Sequence, residues 1–196
     1  MSERVSMSMS IEEYAEHRKL PLKFLTTHGL RVAEPGEVNA PGKWLAIPYP
    51  NVQGVWYTRY RNLDPTDSFR WWQPKGSKQH LYNPKRLGPN ADEVWITEGE
   101  FDALTLCFLG FDAVGISGVN AWKTSWTLLY SECQVIVAMD GDKAGRDGAF
   151  AIASQFKDNA RVLELAEGED MNGLLLSLGD VGLFDKLHEW KDSEGI

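Results

Sequence analysis

The sequence is poor in cysteine and histidine and has no long hydrophobic run. Its 196 residues include two cysteines, Cys107 and Cys133, and four scattered histidines, so neither a disulfide framework nor a zinc ribbon is expected. No apolar run approaches the ~20 residues of a membrane span. The first ten residues carry mixed charge and lack the apolar centre of a signal peptide. These absences predict a cytoplasmic protein with no membrane partner.

Basic residues are outnumbered by acidic ones, with 20 Lys and Arg against 28 Asp and Glu. The resulting net charge of −8 argues against a simple nucleic-acid coat protein. The charge is unevenly distributed along the chain. Residues 1–91 contain 13 Lys and Arg against 8 Asp and Glu, whereas residues 92–196 contain 7 against 20. This polarity predicts two units with different tasks. The basic half is suited to holding a polyanion and the acidic half to holding cations.

Residues 1–90 have the pattern of a small mixed α+β subdomain. Ser10 is a candidate N-cap for a short helix, Pro21 breaks the helical pattern, and a second helix is expected to end at Gly29. The runs "KWLAIPYP" and "GVWYTRYRNL" are apolar, aromatic and bounded by Pro or Gly. They predict strands of an antiparallel sheet. The segment "FRWWQPKGSKQHLYN" predicts a further strand followed by a basic loop.

From residue 91 the pattern alternates between strands and helices. Strands are expected at "EVWIT", "AVGIS", "QVIVAM" and "RVLEL". The helices expected between and after them are "EFDALTLCFLGF", "NAWKTSWTLLY", "KAGRDGAFAIASQFK" and "MNGLLLSLG". This alternation predicts an α/β domain over 91–175, with a four-stranded parallel sheet flanked by helices. Residues 176–196 then form a helical tail.

Acidic residues follow three of the predicted strands. Glu98 follows the first strand, Asp140 and Asp142 follow the third, and Asp170 follows the fourth, while Asp102 lies one turn into the first helix. In open parallel sheets, ligands bind beyond the carboxyl ends of the strands. Carboxylates gathered there would repel one another and raise each other's pKa unless a cation intervened. Oxygen ligands suit Mg²⁺ or Mn²⁺, so the sequence predicts a divalent-metal site.

Each acid also has an ordinary explanation. Asp-Gly-Asp is common in turns, Asp102 suits the first turn of a helix, and Asp170 suits an N-cap. Without a metal, all these separate explanations would have to apply together at successive strand ends. A single metal site accounts for all the acids at once and is therefore favoured. Gly99 and Gly141 allow sharp turns next to Glu98 and between the paired aspartates.

Three segments of this region, "TEGEFDAL", "AMDGDKAGRDGA" and "GEDMN", resemble the successive motifs of a toprim domain. The similarity is greatest to the catalytic core of bacterial DnaG-type primases and their phage relatives, because "DGDKAGRDGA" carries the primase pattern D-G-D-x-A-G-R-D. The resemblance covers residues 92–175. It extends more loosely upstream, where "AIPYPNVQGVWYTRYRNL" and "RWWQPKGSKQHLYN" resemble the N-terminal subdomain of a primase core. That subdomain contributes basic residues that follow template and nucleotide.

The resemblance implies roles for the five acids. Glu98 matches the toprim glutamate, a metal ligand or general acid/base. Asp140 and Asp142 match the metal-binding pair, and Asp102 and Asp170 match supporting acids. Primases often have Asp-Pro-Asp in the last motif, whereas this chain has Asp-Met-Asn. A further ligand at that final position is therefore not expected.

Basic and aromatic residues alternate between residues 59 and 86. Basic side chains follow phosphates and aromatic rings can stack on bases, although strand tryptophans are usually core and lysines usually solvated. Alternation places Trp71 and Trp72 on opposite faces, so at most one should be exposed. The residues expected to contact nucleic acid or nucleotide are Arg59, Arg61, Lys75, Lys78, Lys143 and Arg146.

The expected function is RNA primer synthesis on single-stranded DNA by a metal-dependent nucleotidyltransferase that uses nucleoside triphosphates. The chain contains neither a P-loop motif nor the zinc module of primases, so a separate replicative helicase is an expected partner, in a bacterial cell or a phage-infected host. A toprim nuclease and a non-catalytic nucleic-acid-binding adaptor in replication or repair remain alternatives. A topoisomerase is disfavoured, since the chain lacks room for strand-passage domains.

Overall fold

The computed structural model describes residues 8–50, 57–64, 66–88 and 90–196. It divides the chain into two compact units between His80 and Leu81, ten residues before the boundary expected from composition. Backbone pairing explains the difference. Tyr82 exchanges hydrogen bonds of 2.9 and 2.8 Å with Gly115, a residue of the second unit. The segment after His80 is therefore tied to the second unit.

The first unit begins with two short helices. They are α1 (Ile11–His17) and α2 (Leu22–Thr27). Ser10 caps α1 in a reciprocal arrangement, since its hydroxyl accepts from Glu13 N–H while the Glu13 carboxylate accepts from Ser10 N–H. Pro21 precedes the first residue of α2. Both helices lie where the sequence predicts them.

An antiparallel sheet follows in the same unit. Its strands, in spatial as well as chain order, are β1 (Arg31–Val32), β2 (Trp44–Tyr49), β3 (Tyr57–Asn62) and β4 (Trp71–Trp72). The first three residues of the predicted "GVWYTRYRNL" strand lie outside the described part of the chain. On one face, Trp44, Ala46 and Tyr60 form a small apolar cluster against which Trp72 packs. The other face carries the side chains at Arg59 and Arg61.

The second unit contains a parallel sheet. Its strands are β5 (Glu93–Glu98), β6 (Ala113–Ile116), β7 (Gln134–Ala138) and β8 (Ala160–Val162), in the spatial order β6-β5-β7-β8. The predicted fold class is confirmed. The strand pair at the centre is buried throughout its middle, as expected for a sheet covered on both faces.

The helices of the second unit flank and follow these strands. They are α3 (Glu100–Phe108), α4 (Thr124–Thr127), α5 (Lys143–Ala153) and α6 (Met171–Glu194), with 3₁₀ turns at Val119–Ala121 and Ser154–Asn159. The prediction of one continuous helix over "NAWKTSWTLLY" is wrong. Trp122 and Lys123 have extended backbones, and the Trp122 ring packs against the sheet's core.

The C-terminal segment is part of a longer element than the predicted tail. The last helix starts at Met171, and its helical conformation is interrupted at Gly179, where φ is +75°. Beyond that point Leu183 and Leu187 are buried. Within the described residues, no helix is both long and apolar enough to cross a membrane.

Candidate active site

Glu98 lies at the carboxyl end of β5, directly before a sharp turn. Gly99 has φ of +105°, a conformation that favours glycine, and its N–H donates to Ile116 O at 2.7 Å. The neighbouring strand must also carry a glycine, because a Cβ on Gly115 would lie 2.3 Å from Gly99 O. The turn that presents Glu98 is thus fixed against β6.

Asp140 and Asp142 follow β7 in a loop that is tied to the loop after β8. Gly141 N–H donates to Glu169 O at 2.7 Å, and Gly141 O accepts from Gly168 N–H at 3.0 Å. A Cβ on Gly141 would lie 1.8 Å from Ala166 O. Glycine is therefore required between the aspartates because another backbone lies against it.

Two of the acids cap helices, as the sequence suggests for Asp170 but not for Asp142. The Asp142 carboxylate accepts from Gly145 N–H at 2.7 Å at the start of α5, and that of Asp170 accepts from Gly173 N–H at 2.5 Å at the start of α6. A carboxylate has two oxygens and about four acceptor sites. Capping therefore leaves each group able to accept from, or coordinate, something else.

The acids act on one another electrostatically. Burial, and then the neighbouring charges of Glu98, Asp170 and Asp142, raise the pKa of Asp140 to about 7. Burial and the charge of Asp142 raise the pKa of Glu98, while a hydrogen bond from the Val119 backbone opposes that rise. These interactions are those expected when carboxylates from three strand ends share one edge of a sheet.

The donor set fits a hard divalent cation. The four mutually interacting groups offer oxygen ligands alone, the type preferred by Mg²⁺ and Mn²⁺, and an added positive charge would offset their repulsion. As the side chains stand, no three acidic, histidine or cysteine groups among the described residues form a ready-made cage for an ion. The metal site therefore remains a prediction.

Asp102 has a packing role in this structure. Its side chain is nearly buried, and one carboxylate oxygen accepts from Asn172 N–H at 2.9 Å. The Asn172 side-chain amide donates to Thr105 Oγ1 at 3.0 Å. Together these bonds attach the start of α6 to α3. The departure from the primase motif at Asn172 thus places an amide at a buried junction, a role that the motif alone did not reveal.

Arg146 and Lys143 lie in the first turn of α5 and have different partners. Arg146 donates to Gly141 O at 3.1 Å and to Glu167 at 2.9 Å, so it joins the Asp140–Asp142 loop to the loop after β8. Lys143 pairs with Asp147 at 2.5 Å on an exposed surface. Their predicted nucleotide contacts remain untested.

The predicted basic residues of the first unit differ in their surroundings. Lys75 and Lys78 are exposed. Arg59 and Arg61 are half-buried, with guanidinium carbons 4.3 and 4.9 Å from the Trp71 ring centroid. Burial lowers the pKa of Arg61, although an arginine remains protonated in proteins. Nucleic-acid binding by these four residues remains a prediction.

Comparison with known proteins agrees with this architecture. A family model described as Toprim-like matches residues 95–175. The chain is 35% identical over 149 residues to the gene 57 protein of Mycobacterium phage D29, covering 73% of this chain and 97% of that protein. It is 27% identical over 137 residues to the DNA primase of Mycoplasma genitalium, covering 66% of this chain and 22% of that primase.

Solved structures share the fold. The primase fragment of the bacteriophage T7 primase-helicase protein matches with a TM-score of 0.70 and 21% identity, over 88% of this chain and 72% of that one. A DnaG primase catalytic domain bound to ssDNA matches with a TM-score of 0.65 and 18% identity, over 92% and 76%.

A parallel sheet with acids after three of its strands, preceded by an antiparallel subdomain, defines a toprim-type catalytic core. This chain belongs to the family of toprim-domain primase cores and shares it with the phage D29 gene 57 protein. The chain spans about a fifth of the length of the cellular primase that it matches.

Proposed function

We propose that this chain is a nucleotidyltransferase that synthesises RNA primers on single-stranded DNA. The observation that carries the proposal is the set of interacting carboxylates at the sheet edge, Glu98, Asp140, Asp142 and Asp170. Sequence similarity to DNA primases, and structural similarity to primase cores, support this activity over the alternatives.

In this reaction a primer 3′-hydroxyl forms a bond to the α-phosphorus of a nucleoside triphosphate while the bond to pyrophosphate breaks. Mg²⁺ or Mn²⁺ held by Glu98, Asp140 and Asp142, with Asp170 and Asp102 in support, would offset the charge on the attacked phosphate and the leaving group. The resemblance of Glu98 to the toprim glutamate leaves two roles for it, metal ligand and acceptor of the hydroxyl proton. The remaining contribution of the chain is positioning.

The basic residues supply the complementary attraction. Arg59, Arg61, Lys75 and Lys78 are suited to template phosphates, since guanidinium and ammonium groups bind phosphate oxygens. Lys143 and Arg146 are suited to a triphosphate because they follow the Asp140–Asp142 loop. One structural neighbour is a primase fragment of a primase-helicase, which supports a replicative helicase as partner.

Primer synthesis can be measured with the purified chain, labelled ribonucleotides, a single-stranded template and Mg²⁺ or Mn²⁺. Short labelled products are expected, and Asp140→Asn should reduce their yield at least 100-fold, in line with losses on removing one preorganised electrostatic group. Asp147→Asn is the matched control, because Asp147 lies in the same region but pairs with exposed Lys143. Its activity should remain within about twofold of wild type.

The alternatives give different results in the same assay. Template degradation without nucleotides would identify a toprim nuclease. Template binding with neither product nor degradation, in the presence of a cognate helicase, would identify a non-catalytic adaptor. Either result would overturn the proposal.

A further inference from the structure

Arg61 lies at the centre of a row of basic and aromatic side chains on the β3 surface. It faces Trp71 across the β3–β4 pair, and its guanidinium carbon is 4.9 Å from the Trp71 ring centroid. Tyr14 of α1 also acts on Arg61, since it opposes the lowering of the Arg61 pKa by burial. A half-buried guanidinium therefore lies against an indole and near a phenol.

The row continues on both sides of Arg61. Arg59, two residues earlier on the same strand face, lies 4.3 Å from the same Trp71 ring. Arg18 Nε donates to the Tyr14 hydroxyl at 3.2 Å, and its guanidinium carbon is 5.4 Å from the Tyr14 ring. Trp71 is thus close to both Arg59 and Arg61, and Tyr14 contacts Arg18 and acts on Arg61.

The charge around Arg61 is unbalanced. Burial lowers the pKa of Arg61 and Tyr14 raises it, while the guanidiniums of Arg18 and Arg70, both of the same sign as Arg61, lower it further. Cation–π contact attracts a guanidinium but does not neutralise its charge. A phosphate does both, since its oxygens accept paired N–H donors from guanidinium groups.

Resting on the proposed function of this unit in nucleic-acid binding, we propose that Arg18, Arg61 and Arg59 form a phosphate-binding track in which Trp71 and Tyr14 act as positioning residues. Arg18 is added to the binding residues, although it lies more than 40 residues before the others in the chain. Trp71 lies against both strand arginines, so its ring is occupied by cations rather than offered to a nucleobase.

The track can be tested by fluorescence anisotropy with labelled (dT)16 and an abasic oligonucleotide of the same length, each titrated from 50 to 300 mM salt. Arg18→Gln should weaken binding about 3- to 10-fold and lower the slope of log K against log salt by about 0.7, the value for one single-strand phosphate contact. Arg31→Gln is the charge-matched control, because Arg31 forms an ion pair with Glu37 in the same unit. Its slope should not change.

Trp71 has its own pair of variants. Trp71→Leu should weaken binding to both oligonucleotides by about 3- to 10-fold, whereas Trp71→Phe, which keeps an aromatic face, should remain within about twofold of wild type. Trp72→Phe is the matched control, because Trp72 packs on the opposite face against Tyr60. Thermal unfolding of each variant confirms that the fold is intact.

The possible outcomes separate the competing roles. A Trp71→Leu defect confined to the base-carrying oligonucleotide would show base stacking and overturn the positioning role. If Arg18→Gln leaves the slope of log K against log salt unchanged, both for the oligonucleotides and for competing ATP, the track is overturned. If the slope changes for DNA alone, the track binds backbone phosphates. If the slope changes for ATP alone, the track binds a triphosphate. If these shifts occur in a chain that makes no primer, the inference stands and the proposed activity fails.

Discussion

At the scale of individual residues, Asp140 is half-buried and repelled by three neighbouring acids. Burial together with the charges of Glu98, Asp170 and Asp142 raises its pKa to about 7, so ionising it at higher pH costs folding free energy. We expect Asp140→Asn to increase the free energy of unfolding by about 1 kcal/mol at pH 8 in EDTA, since the amide removes this charge. The measurement is urea denaturation with and without 5 mM Mg²⁺.

Mg²⁺ should stabilise the wild-type chain by mass action and should stabilise Asp140→Asn much less. Asp147→Asn provides the comparison, because Asp147 is exposed and contacts Lys143. A variant that is less stable than wild type in EDTA, or that gains as much from Mg²⁺, would contradict the acid cluster.

Gly141 makes a different prediction at the same scale. A methyl group there would meet the Ala166 carbonyl oxygen at 1.8 Å, so Gly141→Ala must push two loops apart. We expect a loss of about 2 kcal/mol in the free energy of unfolding. Gly88→Ala is the control, since a Cβ at Gly88 would have no neighbour within 4 Å. Equal denaturation midpoints for the two variants would show that the close contact is absent in solution.

At the scale of elements, the junction of α3 and α6 depends on one buried amide. Asn172 is 1% exposed, and its side chain donates to Thr105, while its backbone donates to Asp102. Asn172→Asp would restore the acid found in many primase motifs but would bury a charge next to an existing carboxylate. We expect a loss of about 2 kcal/mol or more at pH 7, measured by thermal unfolding.

The loss in Asn172→Asp should shrink as the pH falls below about 5, because protonation removes the added charge. An exposed amide offers the matched control. Asn120→Asp changes the same chemical group on an exposed side chain and should alter stability by less than about 0.5 kcal/mol. A stable Asn172→Asp variant at neutral pH would show that the junction tolerates an acid.

The elements that sequence predicts well are those with local signals. Ser10 and Pro21 bound the first helices, and the apolar run before Asp140 identifies the central strand, since these signals act within a few residues. The helix predicted across Trp122 and Lys123 is wrong because tertiary packing of the Trp122 ring overrides helical spacing. The division between His80 and Leu81 precedes the change in composition because Tyr82 pairs with Gly115, a contact between distant residues.

The difference between local signals and contacts of distant residues also applies to the candidate site. The order of strands and acids was sufficient to predict that Glu98 and Asp170 lie near enough to Asp140 to raise its pKa, because parallel strands end at a common edge. Their binding of a shared metal stays a prediction. The burial of Asn172 was not predictable, since its bonds to Asp102 and Thr105 join residues far apart in the chain. The bond between Arg18 and Tyr14 differs, because these residues have the i,i+4 spacing of neighbours on a helix. Long-range side-chain contacts leave no local pattern.

At the scale of the whole molecule, the second unit contains several buried groups that release protons only at high pH. Burial raises the pKa of Cys107 to about 11, and it also raises the pKa values of Cys133, Tyr82 and Tyr130. Between pH 9 and 11 the unfolded chain has lost the Cys107 proton that the folded chain retains. Stability is therefore complete below about pH 9 and decreases as the pH rises.

From pH 8 to pH 11 the wild-type chain should lose about 2 kcal/mol more than Cys107→Ala, which lacks this titration. Denaturant midpoints at each pH give the comparison. Parallel curves for the two proteins would show that the thiol is accessible to solvent. Slow alkylation of Cys107 at pH 8 in the folded chain is a second expected result.

The contact between Gly141 and the loop after β8, reinforced by the bridge from Arg146 to Glu167, has a consequence for protein engineering. The two segments cannot be exchanged independently between related enzymes. A segment grafted alone would pack against the other segment of the recipient, whose shape does not match it. A chimera that transplants residues 140–146 together with 166–169 should preserve the shared contour, whereas transplanting one segment alone should not.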